Sequence, residues 1–281
     1  MGDTQDFHGL LQAEFGRSTP EIPGLPEIAL RVVRRLGDIT APSQQVARLV
    51  GTDPALAAVM LRSANSVAYN LTGVVTSDLS VAVDRLGFDT VRRMTLTYAL
   101  QQVRDAPRCR VVHDRLAQVW QRSVLMASLA RVLAVRLGGV PREMATTAGL
   151  LHAVGRIWVI SRSADYPTVL QDPVRFEAML QEWQVAASRR LLTAWQMDPA
   201  LVQAVADHES ADLLEGRVGR LTDLLFISQL FSAFREAPLE LTERLGGSMS
   251  AARLGMRGQE RAFVFGHSAE EVRAVREALC D

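Results

Sequence analysis

The residue best placed to do chemistry is His152, which stands inside the apolar stretch TTAGLLHAVGRIWV at positions 146–159. A histidine followed directly by an aspartate at such a point would offer two metal ligands from neighbouring residues. Here the next residue is Ala153, which carries no ligand atom. His208, in the run Ala206-Asp207-His208-Glu209, is the partner that could join it in a two-histidine site. One or two imidazoles without a carboxylate fall short of a catalytic metal site, for which three protein ligands are usual. The plainer reading makes each a buried histidine hydrogen-bonded to backbone or to a neighbouring side chain.

Other chemistries are closed by what the chain lacks. All of its basic side chains are arginine, and no lysine occurs. Schiff-base catalysis, a phosphate-binding P-loop and the kinase lysine are therefore excluded. No GxGxxG, GxSxG or CxxC pattern occurs either. Cys109 and Cys280 are lone and far apart, which suits a reducing compartment better than a disulfide framework. Formal net charge is +0, so bulk attraction to nucleic acid or to an anionic membrane is not expected. The local arginine clusters (Arg31, Arg34 and Arg35; Arg92 and Arg93; Arg104, Arg108, Arg110 and Arg115) read as solvated helix faces rather than a nucleic-acid site.

The elements that must position His152 are helical. Ile28, Val32, Val33 and Leu36 recur at helical spacing, and Val46, Leu49 and Val50 do so after a cap at Ser43. Asp53-Pro54 opens another helix with an acid at the cap and proline in the first turn. Ser77 or Asp78 caps the next, Gly87 ends it, and Val91, Met94, Leu96 and Tyr98 continue into a fifth. After the polar connector at 104–108 comes a long helix over 111–137. It is closed by Gly138-Gly139, and Pro141 opens the helix that leads into the central stretch. Further helices are predicted at about 175–195, 200–208 and 217–235, and no strand-like alternation appears. Trp120, Trp158, Trp183 and Trp195 sit on these amphipathic helices as core candidates. Ser268 and Glu271 form a capping box for a final helix.

The expected organisation is an N-terminal extension at 1–19, a helical subdomain at 20–105, a second helical subdomain at 106–235, and a C-terminal tail at 236–281 with its final helix. The extension and the glycine-bearing segment 246–266 read as loosely held. With 281 residues and 48% apolar composition, a substantial core is expected. No apolar run is long enough to span a bilayer, and the N-terminus lacks a basic start and a cleavage site, so a soluble cytoplasmic protein is expected.

Three groups of residues carry a family resemblance. The first is Leu25-Pro26 before a helix, then Thr52-Asp53-Pro54-Ala55-Leu56 and Leu61-Arg62-Ser63-Ala64-Asn65-Ser66. The second is Thr76-Ser77 through Ala82, then Arg85-Leu86-Gly87 and Val91-Arg92. The third is Ala148-Gly149-Leu150-Leu151-His152 with Gly155-Arg156, followed by Leu191-Leu192 and Trp195. Together, over about residues 20–230, the chain resembles HDOD domains, the HD-related output domains of bacterial signalling proteins. The resemblance implies an all-α fold in which an N-terminal helical bundle packs on a degenerate relative of the HD metal-dependent phosphohydrolases. It also implies regulatory output through protein contacts rather than catalysis.

The same resemblance identifies the positions that an HD enzyme would use as metal ligands. The first ligand histidine falls at Arg122, a permanent cation, and the central His-Asp pair reads His152-Ala153. A later histidine falls at Gln184, placed by its distance from Trp195. The closing aspartate falls in the helix over 221–231, where Ser228-Gln229 stand; Asp223 would serve only in a register nearly two turns away. Arg122 is expected either to pair with Asp207 or Glu209 across the former metal pocket or to face solvent. The expectation is thus a non-enzymatic signalling protein with no catalytic residue, no metal and no cofactor. Its degenerate pocket would be marked by Arg122, His152, Ala153, Gln184, Asp207, His208 and Gln229, and its partner would be another protein of a bacterial pathway such as motility, stress or cyclic-di-GMP-linked signalling. No membrane and no nucleic acid are expected, and homo-oligomerisation stays open. Two alternatives remain: a divergent HD-type nucleotide phosphohydrolase, and a module that senses a small anion or nucleotide near Arg122 without turnover.

Overall fold

A computed structural model of the chain describes residues 2–16, 22–38, 40–214, 218–256 and 272–274. Every regular element among them is an α-helix or a short 3-10 turn, and no strand is found among the described residues. The fold is all-α, as the periodicity predicts. The chain divides into two compact units, one of residues 22–113 and one of residues 1–21 with 114–281.

The smaller unit holds five helices: α2 (Glu27–Leu36), α3 (Ser43–Val50), α4 (Pro54–Ala64), α5 (Leu79–Leu86) and α6 (Phe88–Asp105). The helix before them in the chain, α1 (Gly2–Phe15), belongs to the other unit. The core of the smaller unit gathers one apolar stripe from each helix, including Val32 and Leu36, Val46 and Val50, Leu56 and Met60, Val83 and Leu86, and Val91. Local chemistry sets the helix ends. Asp53 caps α4 by accepting from the backbone N–H of Ala55 at 3.0 Å and Leu56 at 3.1 Å, with Pro54 in the first turn. Tyr98 on α6 donates its hydroxyl to the same carboxylate at 3.1 Å, tying the cap to the bundle. Asp78 rather than Ser77 caps α5, and α3 is entered through Pro42 with no side-chain cap, so Ser43 is its first residue and not its cap.

Between α4 and α5 the loop over 65–78 is fixed by its own side chains. Asn65 donates to the carbonyl of Thr76 at 2.8 Å and accepts from its N–H at 2.9 Å, while Arg85 donates to the carbonyls of Ala64 and Val74. The loop nevertheless presents apolar side chains to solvent: Val67 and Leu71 are each 92% exposed, with Val74 and Val75 beside them.

The larger unit contains α1, α7 (His113–Leu137, whose first residue belongs to the smaller unit), α8 (Arg142–Leu151), α9 (Val154–Ser163), α10 (Pro173–Ala194), α11 (Pro199–Asp207), α12 (Arg220–Ala233), α13 (Pro238–Gly247) and α14 (Met249–Arg253). Aspartate followed by proline opens α10 and α11 as it opens α4: Asp172 accepts from Arg175 N at 3.0 Å and Asp198 from Ala200 N at 2.7 Å. The helix α12 is apolar on nearly every side and sits against α8, α11, α13 and α14. A helix with that all-round pattern belongs in the centre of a core. Trp120, Trp158 and Trp195 are buried as expected, whereas Trp183 is only half-buried and meets the rings of His8 and Phe15 at 5.5 and 5.4 Å.

Both ends of the chain depart from the loose segments expected. Residues 2–15 form α1, whose face of Phe7, Leu11 and Glu14 is buried. Phe7 packs on Tyr166 and Glu14 pairs with Arg162 of α9 at 2.6 Å. The spacing 7, 11, 14 is helical, but the polar start and Gly9 mask it in the sequence. At the other end, Pro238 opens a helix instead of ending the body, and Gly246-Gly247 close α13 with Ser248 capping α14. Leu241, Leu245, Ala251 and Leu254 are buried there. Arg253 anchors α14 by pairing with Asp223 of α12 at 2.6 Å, and the Asp223 carboxylate is 2% exposed. The division at 113 replaces the boundary expected at 105, because the 3-10 turn over Pro107–Val112 buries Cys109 and Val112 with the smaller unit. The capping box at Ser268 and Glu271 lies outside the described residues.

Candidate functional site

Two glycines determine where His152 stands. Gly149 on α8 lies so close to α7 that a Cβ there would meet the backbone of Ala127 at 2.5 Å. Gly155 on α9 lies against α10, where a Cβ would meet the carbonyl oxygen of Gln184 at 2.0 Å and Ser188 Oγ at 2.6 Å. The Gly155 N–H donates to that hydroxyl at 3.0 Å. Only glycine permits either approach. Between them, His152-Ala153 forms the turn from α8 to α9 and is held against α7 on one side and α10 on the other.

That turn is the floor of a cleft of about 230 Å³ walled by α7, α9, α10 and the end of α11. Arg122, His152, Ala153, Gln184 and His208 all line it, so five of the seven residues singled out from the sequence meet at one place. The other two do not. Asp207 lies outside the lining and pairs with Arg189 at 2.8 Å. Gln229 sits on α12, away from the cleft, with its Oε1 buried and without a hydrogen-bond partner. Asp223, the alternative closing ligand, is occupied by Arg253.

The histidines are a matched pair. His152 Nδ1 lies 2.8 Å from the carbonyl oxygen of Gly149, and His208 Nδ1 lies 2.8 Å from that of Val205. A carbonyl only accepts, so each Nδ1 carries the ring proton and each Nε2 is left with a lone pair. The two rings meet edge to face with centroids 5.8 Å apart. Burial, reinforced by His208 and the nearby Arg122 and Arg156 guanidiniums, pushes the His152 pKa down to about 3. Burial likewise lowers that of His208, with Arg122 adding to the effect against the opposing pull of Glu209 and Asp207. Both imidazoles are neutral at physiological pH.

A chain of polar contacts crosses the cleft wall. Glu177 accepts both contacts of Arg156 Nη2 at 2.9 and 2.8 Å, Arg156 Nη1 donates to Gln184 Oε1 at 3.2 Å, and Gln184 Nε2 donates to Glu209 Oε2 at 2.7 Å. The pairing of Arg122 with Asp207 or Glu209 does not form, because both carboxylates already have partners. Arg122 is exposed at the mouth of the cleft and makes no ion pair among the described residues. Sequence reasoning missed Arg156 and Glu177 as members of the site; the signal was the Gly155-Arg156 pair, since a glycine that brings α9 onto α10 also brings the next side chain to its surface.

These groups do not suit a divalent metal. Where ligands would stand there is a guanidinium, a methyl group and an amide already engaged at both ends. No group of three or more histidine, cysteine, aspartate or glutamate side chains is placed to hold an ion among the described residues. Metal sites that activate water need such a set.

The HDOD domain model matches residues 22–211. The chain belongs to the HDOD family. Among solved structures, this HDOD chain is similar to a protein named "Putative metal-dependent phosphohydrolase" from Shewanella amazonensis SB2B, at 23% identity and TM-score 0.66, over 98% of this chain and 99% of that one. It is similar to an HDOD domain protein with unknown function from Geobacter sulfurreducens, at 19% identity and TM-score 0.61, over 97% of each chain. A "Putative signal transduction protein" from Marinobacter aquaeolei VT8 matches at 19% identity and TM-score 0.52, over 99% of this chain and 66% of that one. At these identities the likeness establishes the fold alone. No curated protein matches the chain.

Proposed function

We propose that this HDOD protein is a regulatory output module of a bacterial signalling pathway that works by contact with another protein rather than by catalysis. The observation that carries the reading is the engagement of Gln184 between Arg156 and Glu209, beside Arg122 and Ala153, where an HD enzyme would assemble metal ligands. Gln184, Arg156, Glu177 and Glu209 engage one another there, which supports a cleft without a ligand set for a water-activating metal. Output must then pass through a surface, and the braced apolar loop over 65–78 of the smaller unit supports that, since exposed apolar side chains held in a fixed shape favour protein contacts. A cytoplasmic location is part of this reading, and no helix among the described residues is long and apolar enough to cross a membrane.

The test is the metal content of untagged protein purified without chelator, read by elemental mass spectrometry and followed by nucleotide and phosphomonoester hydrolysis assays with added Mn²⁺ and Mg²⁺. Less than about a tenth of a metal per chain and no metal-stimulated hydrolysis are expected. A stoichiometric metal with turnover would overturn the reading in favour of a divergent phosphohydrolase.

A further inference from the structure

The Nε2 of His208 presents an unmet requirement at the cleft. Its residue is only 3% exposed, the atom is buried, and no donor among the described residues reaches it. The Nδ1 on the other edge of the ring already donates to Val205, so Nε2 must accept, and a buried acceptor left without a donor is costly. His152 has the same tautomer and adds a second acceptor nitrogen to the lining. Neither its neighbouring imidazole nor the engaged Gln184 amide has a proton to offer His208. The cleft of about 230 Å³ holds several times the roughly 30 Å³ that a water molecule occupies in the liquid.

Charge narrows what would fill it. Arg115, Arg122 and Arg156 face the cleft against Glu177 and Glu209. Arg156 is neutralised by Glu177, and Glu209 takes the Gln184 amide. Arg115 lies over the Phe176 ring at 5.2 Å. Among the described residues neither Arg115 nor Arg122 meets a carboxylate, and Arg122 stands exposed at the mouth. A sulfate-like dianion would face the Glu209 carboxylate and offer no proton to the imidazoles. A singly charged oxyanion that keeps a hydroxyl meets both demands.

We propose that the cleft binds a singly protonated phosphate monoanion, as dihydrogen phosphate or the monoanion of a phosphomonoester, with a P–OH donating to His208 Nε2 and an anionic oxygen accepting from Arg122. No bond is made or broken, since binding is by hydrogen bonds and charge alone. The site would let the module sense such a ligand, and it stands or falls independently of the protein-contact reading, which metal content and complex formation test.

The experiment is isothermal titration calorimetry of the full chain at pH 6.5, with inorganic phosphate and with sulfate at matched ionic strength, on the parent, Arg122→Gln and His208→Asn proteins. Asparagine keeps a donor for the Val205 carbonyl while removing the ring nitrogen at the Nε2 position. Saturable phosphate binding is expected, with sulfate at least about tenfold weaker and each substitution costing about tenfold, the scale of one charge-assisted hydrogen bond. Arg122 is exposed, so its variant reports even where the buried His208 substitution fails to fold. Equal binding of phosphate and sulfate, or phosphate binding indifferent to Arg122→Gln, would mean an adventitious ion only and would overturn the proposal. So would the absence of phosphate binding at tens of millimolar.

Discussion

Gln184 donates its side-chain N–H to Glu209 at 2.7 Å and so joins α10 to the turn that follows α11, at a position where an HD enzyme would present a metal ligand. Its Oε1 accepts from Arg156 at 3.2 Å, and the residue is buried. The side chain thus links α10 to that turn from both ends of its amide. Gln184→Ala removes a donor and an acceptor from partners that sit in a partly closed cleft. A loss of about 1–3 kcal/mol is expected, read by chemical denaturation. Gln184→His is expected to leave metal content unchanged, because Arg122 and Ala153 remain; a stoichiometric metal in that variant would show the cleft to be one substitution away from a working centre.

The close approach of α9 to α10 rests on Gly155. Gly155→Ala must push α9 away from the Gln184 carbonyl, which a Cβ would approach to 2.0 Å. A destabilisation of at least about 1–3 kcal/mol is expected, the usual cost of overpacking. Gly9 on α1 is the contrasting case, since nothing lies within 4 Å of a Cβ there. Gly9→Ala is expected to stabilise by up to about 1 kcal/mol through helix propensity. If α1 were a loose extension, that gain would be absent from the global unfolding transition.

Much of this was legible in the sequence, and the failures have physical causes. Apolar stripes at helical spacing and aspartate-proline starts located the helices, and the register set by the resemblance to HD enzymes picked out Arg122, Ala153 and Gln184, which line one cleft. The partners of those side chains could not be read. Whether Arg122 meets Asp207 depends on the direction in which α7 and α11 face each other, and Arg189 reaches Asp207 first. Gln229 was placed by register along α12, a helix so uniformly apolar that its pattern does not mark which side meets the cleft. The terminal helices were missed for the opposite reason: their buried stripes are short and interrupted by glycine and polar residues, and tertiary contacts such as Arg253 with Asp223 hold them in place.

That last pair makes a prediction of its own. Asp223 is buried and accepts from Arg253 Nε and Nη2 at 2.6–3.0 Å, so Asp223→Ala leaves a guanidinium without its counter-charge. Because Arg253 is partly exposed and keeps Ala211 O as an acceptor, a cost of about 1–3 kcal/mol is expected, seen as a lower midpoint in denaturant with no change in metal content. A change in metal content without loss of stability would instead make Asp223 a ligand.

The exposed loop between α4 and α5 separates binding from stability. Val67→Ser with Leu71→Ser alters side chains that are each 92% exposed and leaves the Asn65 and Arg85 contacts intact. Stability is expected to stay within about 0.5 kcal/mol, as for other surface changes. Association with the cognate partner, once purified, should weaken by at least about tenfold in analytical ultracentrifugation, about 1.4 kcal/mol. Unchanged association would move the contact surface elsewhere on the molecule.

The buried imidazoles give the protein an acid sensitivity that can be assigned. His152 titrates at about 3 in the folded chain, against 6.5 for the free side chain, and His208 is lowered in the same direction. Between those limits the unfolded chain binds a proton that the folded chain refuses. Stability is therefore fully present above about pH 6.5 and is lost as pH falls, by about 1.4 kcal/mol per pH unit for His152, with His208 acting in the same direction. Burial sets this behaviour, helped at His152 by His208, Arg122 and Arg156 and at His208 by Arg122; the hydrogen bonds to Gly149 O and Val205 O oppose it, as do Glu209 and Asp207 at His208. His152→Asn keeps a donor for Gly149 and removes the titration. Denaturation free energies measured from pH 7 to pH 4.5 should fall less steeply in that variant, by one proton's worth of slope. An identical slope in parent and variant would place the acid sensitivity elsewhere.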